Sequence, residues 1–159
     1  VLAVAKFRMP APIQLGASPV LVLDDIRDPG NFGTLIRSAD WFGFTHVLAS
    51  ENSVDFYNPK VISATMGSFC HVQVHYQDLV STLKNYSGRI AGAFLDGVQP
   101  DSYDFGQNPV IVIGNESTGI SADVSRIVTD RVTIPGFGQA ESLNAAVAAG
   151  ILMYASTRK

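Results

Sequence analysis

Apolar residues along this chain follow two rhythms. Short runs rich in Val and Ile alternate with longer stretches in which apolar positions recur every three or four residues. That is the pattern of strands alternating with helices in α/β folds. The runs predict strands at residues 20–23, 46–49, 72–75, 90–94, 110–113 and 131–134. The helical spacing predicts helices at 32–42, 59–68, 79–85, 122–128 and 142–156. Six strands and five helices fill the length, giving an α/β domain with a mostly parallel sheet, and no internal repeat or low-complexity tract interrupts it.

The last helix is the best defined. Leu143, Val147, Ile151 and Tyr154 recur at four and three residues, while Ala145, Ala146, Ala148, Ala149 and Gly150 keep the rest smooth. Small residues on several sides permit close backbone approach. The helix is expected between the sheet and a neighbour, either a second subunit or simply the rest of a central core. The first 19 residues, VLAVAKFRMPAPIQLGASP, differ in kind, with three Pro and a Gly before the first strand. Residues 1–19 are expected to be the remnant of an interdomain linker, with residues 20–159 forming the folded domain and a preceding domain missing.

Composition narrows the class. At 159 residues with 47% hydrophobic side chains, the chain can bury one core. A lone Cys70 excludes an internal disulfide framework, and no apolar run approaches the roughly 20 residues that span a bilayer. With no recognisable leader, the cytoplasm is the expected compartment and no membrane partner is expected. Eleven Lys and Arg against 14 Asp and Glu give a net charge of −3, so the totals carry no electrostatic signature of a nucleic-acid binder. A second subunit or a further domain can supply the missing basic surface.

Three polar corners follow strand-like runs: DPGNFGTLIRSA after Leu23, GNESTGIS after Ile113 and PGFGQAESLN after Ile134. In open α/β sheets ligands sit beyond the carboxyl ends of strands, so three such corners point to one site. Each has a plain alternative. Pro29 and Gly30 can make a turn with Asn31 as a helix cap and Arg37 on a solvated face; Glu116 can cap a helix; Ser142 can be an N-cap and Asn144 an early-turn residue.

Other chemistries fit less well. Gly136 and Gly138 begin like G-x-G-x-x-G, but Glu141 stands where the last Gly belongs, and the run follows the last strand rather than the first. Ser142 lacks a G-x-S-x-G elbow, and His46, His71 and His75 lack metal-ligand spacing, so no metal site is expected.

Taken together, Asn31-x-Gly33-x-x-x-Arg37-Ser38-Ala39, Ile113-Gly114-Asn115-Glu116-x-x-Gly119 and Ile134-Pro135-x-x-Gly138-x-x-x-Ser142-Leu143-Asn144 resemble, in order, the three motifs of the SpoU (TrmH-like) branch of the SPOUT RNA methyltransferases. The resemblance runs from about Val20 to Tyr154. It implies a deep C-terminal trefoil knot, a homodimer, and S-adenosylmethionine as methyl donor for a ribose 2′-hydroxyl in structured RNA, either rRNA or tRNA. An inactive knotted RNA-binding relative is the alternative. Gly114, Ile134 and Leu143 are similar to the family's cofactor-contacting positions, with Leu95 a further candidate. Asn31, Arg37, Glu116, Ser142 and Asn144 match its functional polar set. The resemblance leads us to expect Arg37 to clamp a phosphate, Glu116 to orient Arg37 or its own loop, and Gly33 to leave room for a ribose. Gly136 departs from the family pattern, where Met is usual after Ile-Pro, and so do Ala145 and Ala146, where Val-Ser is commoner.

Overall fold

The computed structural model describes Pro10 and residues 12–158. Its strands are Val20–Asp24 (β1), His46–Ala49 (β2), Gln73–Tyr76 (β3), Ile90–Val98 (β4), Val110–Gly114 (β5) and Asp130–Val132 (β6). They form one six-stranded sheet in the order β3-β2-β1-β5-β4-β6, and every pairing is parallel. The helices are Pro29–Trp41 (α1), Pro59–Ala64 (α2), Leu79–Lys84 (α3), Ala122–Ser125 (α4) and Ala145–Thr157 (α5), with short 3₁₀ turns at Ser68–Cys70 and Pro100–Ser102.

Helices cover both faces of the sheet, which is why β1 and β5 read as unbroken apolar runs instead of alternating ones. Leu21, Leu23, Ile111 and Ile113 point to the side of α1 and α5, packing with Phe32, Leu35, Ile36, Ala149, Leu152 and Met153. Val20, Val22, Val110 and Val112 point to the side of α3 and α4, packing with Leu79, Leu83 and Val124. Ile13 and Leu15 lie against this second core, and Asn108 Nδ2 donates to the Gly16 carbonyl at 2.8 Å. The end of the segment expected to be linker is thus docked on the domain, while residues 1–9 and 11 lie outside the described residues.

Several predicted boundaries shift for local reasons. α1 begins at Pro29 because the Asp28 carboxylate accepts the Asn31 amide at 2.7 Å and Pro fits the first helical position. Asp28, not Asn31, is therefore the cap. α5 begins at Ala145 because the Asn144 side chain accepts from the amides of Ala146 and Val147. Ser142 stands outside the helix, and Asn144 supplies the cap expected of Ser142. α2 and α4 are shorter than their apolar spacing predicts. β4 runs on to Val98 along β6, with a register shift between Ala93 and Val98.

The sheet-facing side of α5 is its alanine face, not its bulky apolar stripe. Leu143, Val147, Ile151 and Tyr154 are 48%, 51%, 37% and 53% exposed, whereas Ala145, Ala146, Ala149, Leu152 and Met153 face the core. The smooth face goes inward because alanines let α5 approach β5 and α1 closely. The bulkier apolar face is left outside. Among the described residues no helix is long and apolar enough to cross a membrane, and no group of three or more His, Cys, Asp or Glu is placed to hold a metal.

Candidate active site

The three polar corners meet at the carboxyl ends of the strands. After β1 the chain turns at Asp25, whose φ of 57° is unusual for a residue with a side chain. Its amide donates to Ser50 Oγ at 2.8 Å, and its carbonyl accepts Asn115 Nδ2 at 2.8 Å. Asn115 thereby ties the loop after β5 to the end of β1. Its other amide atom organises that loop from within, Oδ1 accepting from Ser117 N at 2.9 Å and Ser117 Oγ at 2.7 Å.

The loop closes on itself through paired backbone bonds between Asn115 and Gly119. Gly114 makes this possible, since a Cβ there would collide with the backbone of Gly119 and Ile120. Beyond the loop, the Ser121 amide donates to the buried Asp24 carboxylate at 2.7 Å. The β5 loop is thus pinned to β1 at both of its ends. Sequence reasoning gives no site role to Asp24, Asp28 or Asn115, although Asn115 stands within the second motif. The signal for Asn115 is the Ser two residues later, which reads as a side-chain turn as readily as a glycosylation sequon.

At the centre, Asn31 Nδ2 donates to Glu116 Oε1 at 2.5 Å, and Asn144 Nδ2 donates to Asn31 Oδ1 at 2.9 Å. Residues from all three corners therefore form one hydrogen-bonded set, across 85 and 113 positions of sequence. Arg37 does not join it. Six positions along α1 turn its side chain roughly 120° away from Asn31, at 3.6 residues per turn. It lines an open hollow of about 410 Å³ with Thr34, Ser38, Trp41 and Phe42. Among the described residues Arg37 has no hydrogen bond or ion pair, so Glu116 does not orient Arg37 but bonds Asn31 instead, and Asn31 and Arg37 stand on two faces of α1.

Gly33 serves packing, not substrate access. It is buried, and a Cβ there would lie 2.5 Å from the Ala64 Cβ and 2.7 Å from the Val61 carbonyl, so it sets the close approach of α1 to α2. Ser142 is exposed on the segment before α5. Of the four positions expected to contact a cofactor, Gly114 and Ile134 are partly buried, Leu143 is half-exposed and Leu95 is 81% exposed. Leu95 is held out by its neighbours: the Arg131 guanidinium lies 3.6 Å from the Phe94 ring centroid and bonds Asp96 at 2.5 Å, which holds the Asp96 carboxyl below its usual range. Apolar side chains left uncovered beside a glycine-lined backbone loop suit a flat, partly apolar ligand such as an adenosine moiety.

A parallel sheet with helices on both faces and its polar loops gathered at the strand ends defines a domain of the open α/β class, in which ligands are bound beyond the carboxyl ends of the strands. Within that class the chain matches the model of the SpoU rRNA Methylase family over residues 18–154, and it belongs to that family. It is 35% identical over 154 residues to the 23S rRNA (guanosine(2553)-2'-O)-methyltransferase RlmP of Bacillus subtilis, covering 94% of this chain and 62% of that protein. A TrmH-family protein of Porphyromonas gingivalis superposes with a TM-score of 0.85 at 38% identity, over 93% of this chain and 61% of its own. An AdoMet-bound rRNA methyltransferase of Sinorhizobium meliloti gives 0.84 at 30%, over 91% and 57%. The chain thus spans about three-fifths of the length of these three relatives.

Proposed function

We propose that this domain transfers a methyl group from S-adenosylmethionine to a ribose 2′-hydroxyl of rRNA or tRNA. The observation that carries this is the joining of Asn31, Glu116 and Asn144, one from each corner, at the carboxyl ends of the strands. Family membership and the AdoMet-bound neighbour support the donor. The residues present fit it: Gly114, Ile134, Leu143 and Leu95 would hold it against the loops after β4, β5 and β6. Bound there, it would supply a methyl group on a sulfonium, already a good leaving group. The chain's residues then have to align donor and acceptor and manage the hydroxyl proton.

Arg37 is the residue for the RNA backbone. An exposed guanidinium with no protein partner among the described residues is free to take a phosphate through its planar donor fork, and because a guanidinium keeps its proton in proteins it is a poor base. Ser142 lies on the same segment as Leu143 and Asn144 and helps shape the acceptor side. We read the chain after β6, which returns to place α5 against α1 and β5, as the trefoil knot of the family.

The exposed stripe of α5 is the surface for a second copy. Tyr154 packs against Phe42 with ring centroids 6.2 Å apart, and Trp41, 83% exposed, extends the apolar surface to the end of α1. A homodimer built there places Arg37 at the rim of the covered surface. With a net charge of −3 the domain does not attract RNA by its total charge, so local groups and the remainder of a longer protein carry recognition. The cytoplasm, where rRNA and tRNA are at hand, is the compartment we propose. Calorimetry tests this directly: S-adenosylmethionine binds and NAD does not, and label passes from methyl-labelled donor to total RNA. Donor binding without transfer would leave the inactive RNA-binding relative.

A further inference from the structure

The three polar side chains at the centre of the site form a chain whose direction is fixed at both ends. At one end, Asn144 faces the amides of Ala146 and Val147, at 2.9 and 3.3 Å, and amides can only donate. The atom of Asn144 that meets them must be its oxygen, so its nitrogen turns outward to donate to Asn31. Asn31 must then accept with its own oxygen and offer its nitrogen to Glu116. At the far end stands a carboxylate, which accepts. No amide can be flipped without setting donor against donor or acceptor against acceptor.

We infer that Asn144 and Asn31 are positioning residues of a one-way relay anchored on the cap of α5, and that Glu116 is the group it delivers to the acceptor ribose. The carbonyl oxygens of both asparagines are engaged within the protein. Glu116 Oε1 is held by Asn31, and Oε2 has no partner among the described residues, so it is the acceptor the set presents outward. The same relay ties the segment carrying Leu143 to the loop after Gly114, so it also sets the donor pocket. This inference rests on the methyltransferase reading of the site.

A swap of polarity tests it. Asn144→Asp keeps the cap, because a carboxylate accepts the α5 amides as well as an amide oxygen does and suits a helix N-terminus. It cannot donate to Asn31, which must flip and set its oxygen against Glu116. Glu116→Gln alone keeps an acceptor for Asn31 but removes the carboxylate. In the double variant the relay is rebuilt in reverse: the new side-chain amide at position 116 donates to Asn31, and Asn31 donates to the new carboxylate at position 144.

Three readouts separate the parts: the thermal midpoint, donor affinity by calorimetry with S-adenosylmethionine, and methyl transfer to RNA. The expected result is that Asn144→Asp lowers donor affinity about tenfold, the equivalent of one good hydrogen bond lost. Adding Glu116→Gln restores affinity and thermal midpoint to wild-type levels, while methyl transfer stays as low as in Glu116→Gln alone. If the double variant is no better than Asn144→Asp in midpoint and affinity, the relay is overturned. If it recovers methyl transfer, the assignment of the Glu116 carboxylate is overturned. A wild-type chain that binds no donor defeats the proposed function, while the thermal cycle still decides the relay.

Discussion

Gly33 and Arg37 sit one turn apart on α1 and do unrelated work. Gly33 has no room for a methyl group between α1 and α2. Gly33→Ala is expected to destabilise the fold by about 1–3 kcal/mol, the usual cost of overpacking, and to leave the donor affinity of folded protein unchanged. Chemical denaturation and calorimetry check the two halves. Arg37→Ala is expected to do the reverse, with unfolding within about 0.5 kcal/mol of wild type and methyl transfer down about 100-fold or more from a misplaced RNA. Full activity and unchanged RNA affinity in Arg37→Ala would remove the phosphate clamp. The sequence offers these polar residues as candidates but does not say which of them touch. Asn31 and Asn144 are 113 positions apart, and only the fold reveals that one donates to the other. The packing role of Gly33 is hidden in the sequence because its neighbours come from α2, which sequence order does not place beside it.

At the scale of elements, the strand and helix pattern is legible because strands buried on two faces read as continuous apolar runs. Helix ends are harder. Both α1 and α5 start where an Asp or Asn side chain reaches a backbone amide, and each has a second polar residue nearby that looks equally suitable. On α5 the periodicity is real, but its bulky stripe faces outward while the alanine face is buried. Hydrophobic spacing shows that a face seeks cover without saying what covers it. If a second copy does, Val147→Asp or Ile151→Asp is expected to convert a dimer to a monomer in sedimentation analysis, with the thermal midpoint of the monomer little changed. A wild-type chain that sediments as a monomer at all concentrations would contradict the pairing.

For the whole molecule, sheet order and the return of the chain after β6 are not readable from spacing. They depend on which strands neighbour which, and β5 lies between β1 and β4 although β2, β3 and β4 precede it in the chain. Stability has its own signature in a pair of histidines on β2 and β3. His75 is 4% exposed, its ring nitrogen lies 3.2 Å from that of His46, and burial, then the neighbouring His46, lowers its pKa. The unfolded chain, with a histidine pKa of about 6.5, takes up a proton that the folded chain resists. Stability is therefore fully present above about pH 6.5 and falls as the pH drops below it. Melting at pH 7.5 and 5.5 should show the loss, and His75→Val should flatten the slope over that interval.

The chemistry itself is tested by where the methyl group goes. Alkali cleaves RNA through the free 2′-hydroxyl, so a 2′-O-methylated nucleotide survives in an alkali-resistant dinucleotide. Incubation of the protein with methyl-labelled S-adenosylmethionine and rRNA or tRNA lacking the modification, followed by alkaline hydrolysis, is expected to leave the label in such dinucleotides. Label recovered in mononucleotides, as from a methylated base, would contradict the assignment of the ribose 2′-hydroxyl as acceptor.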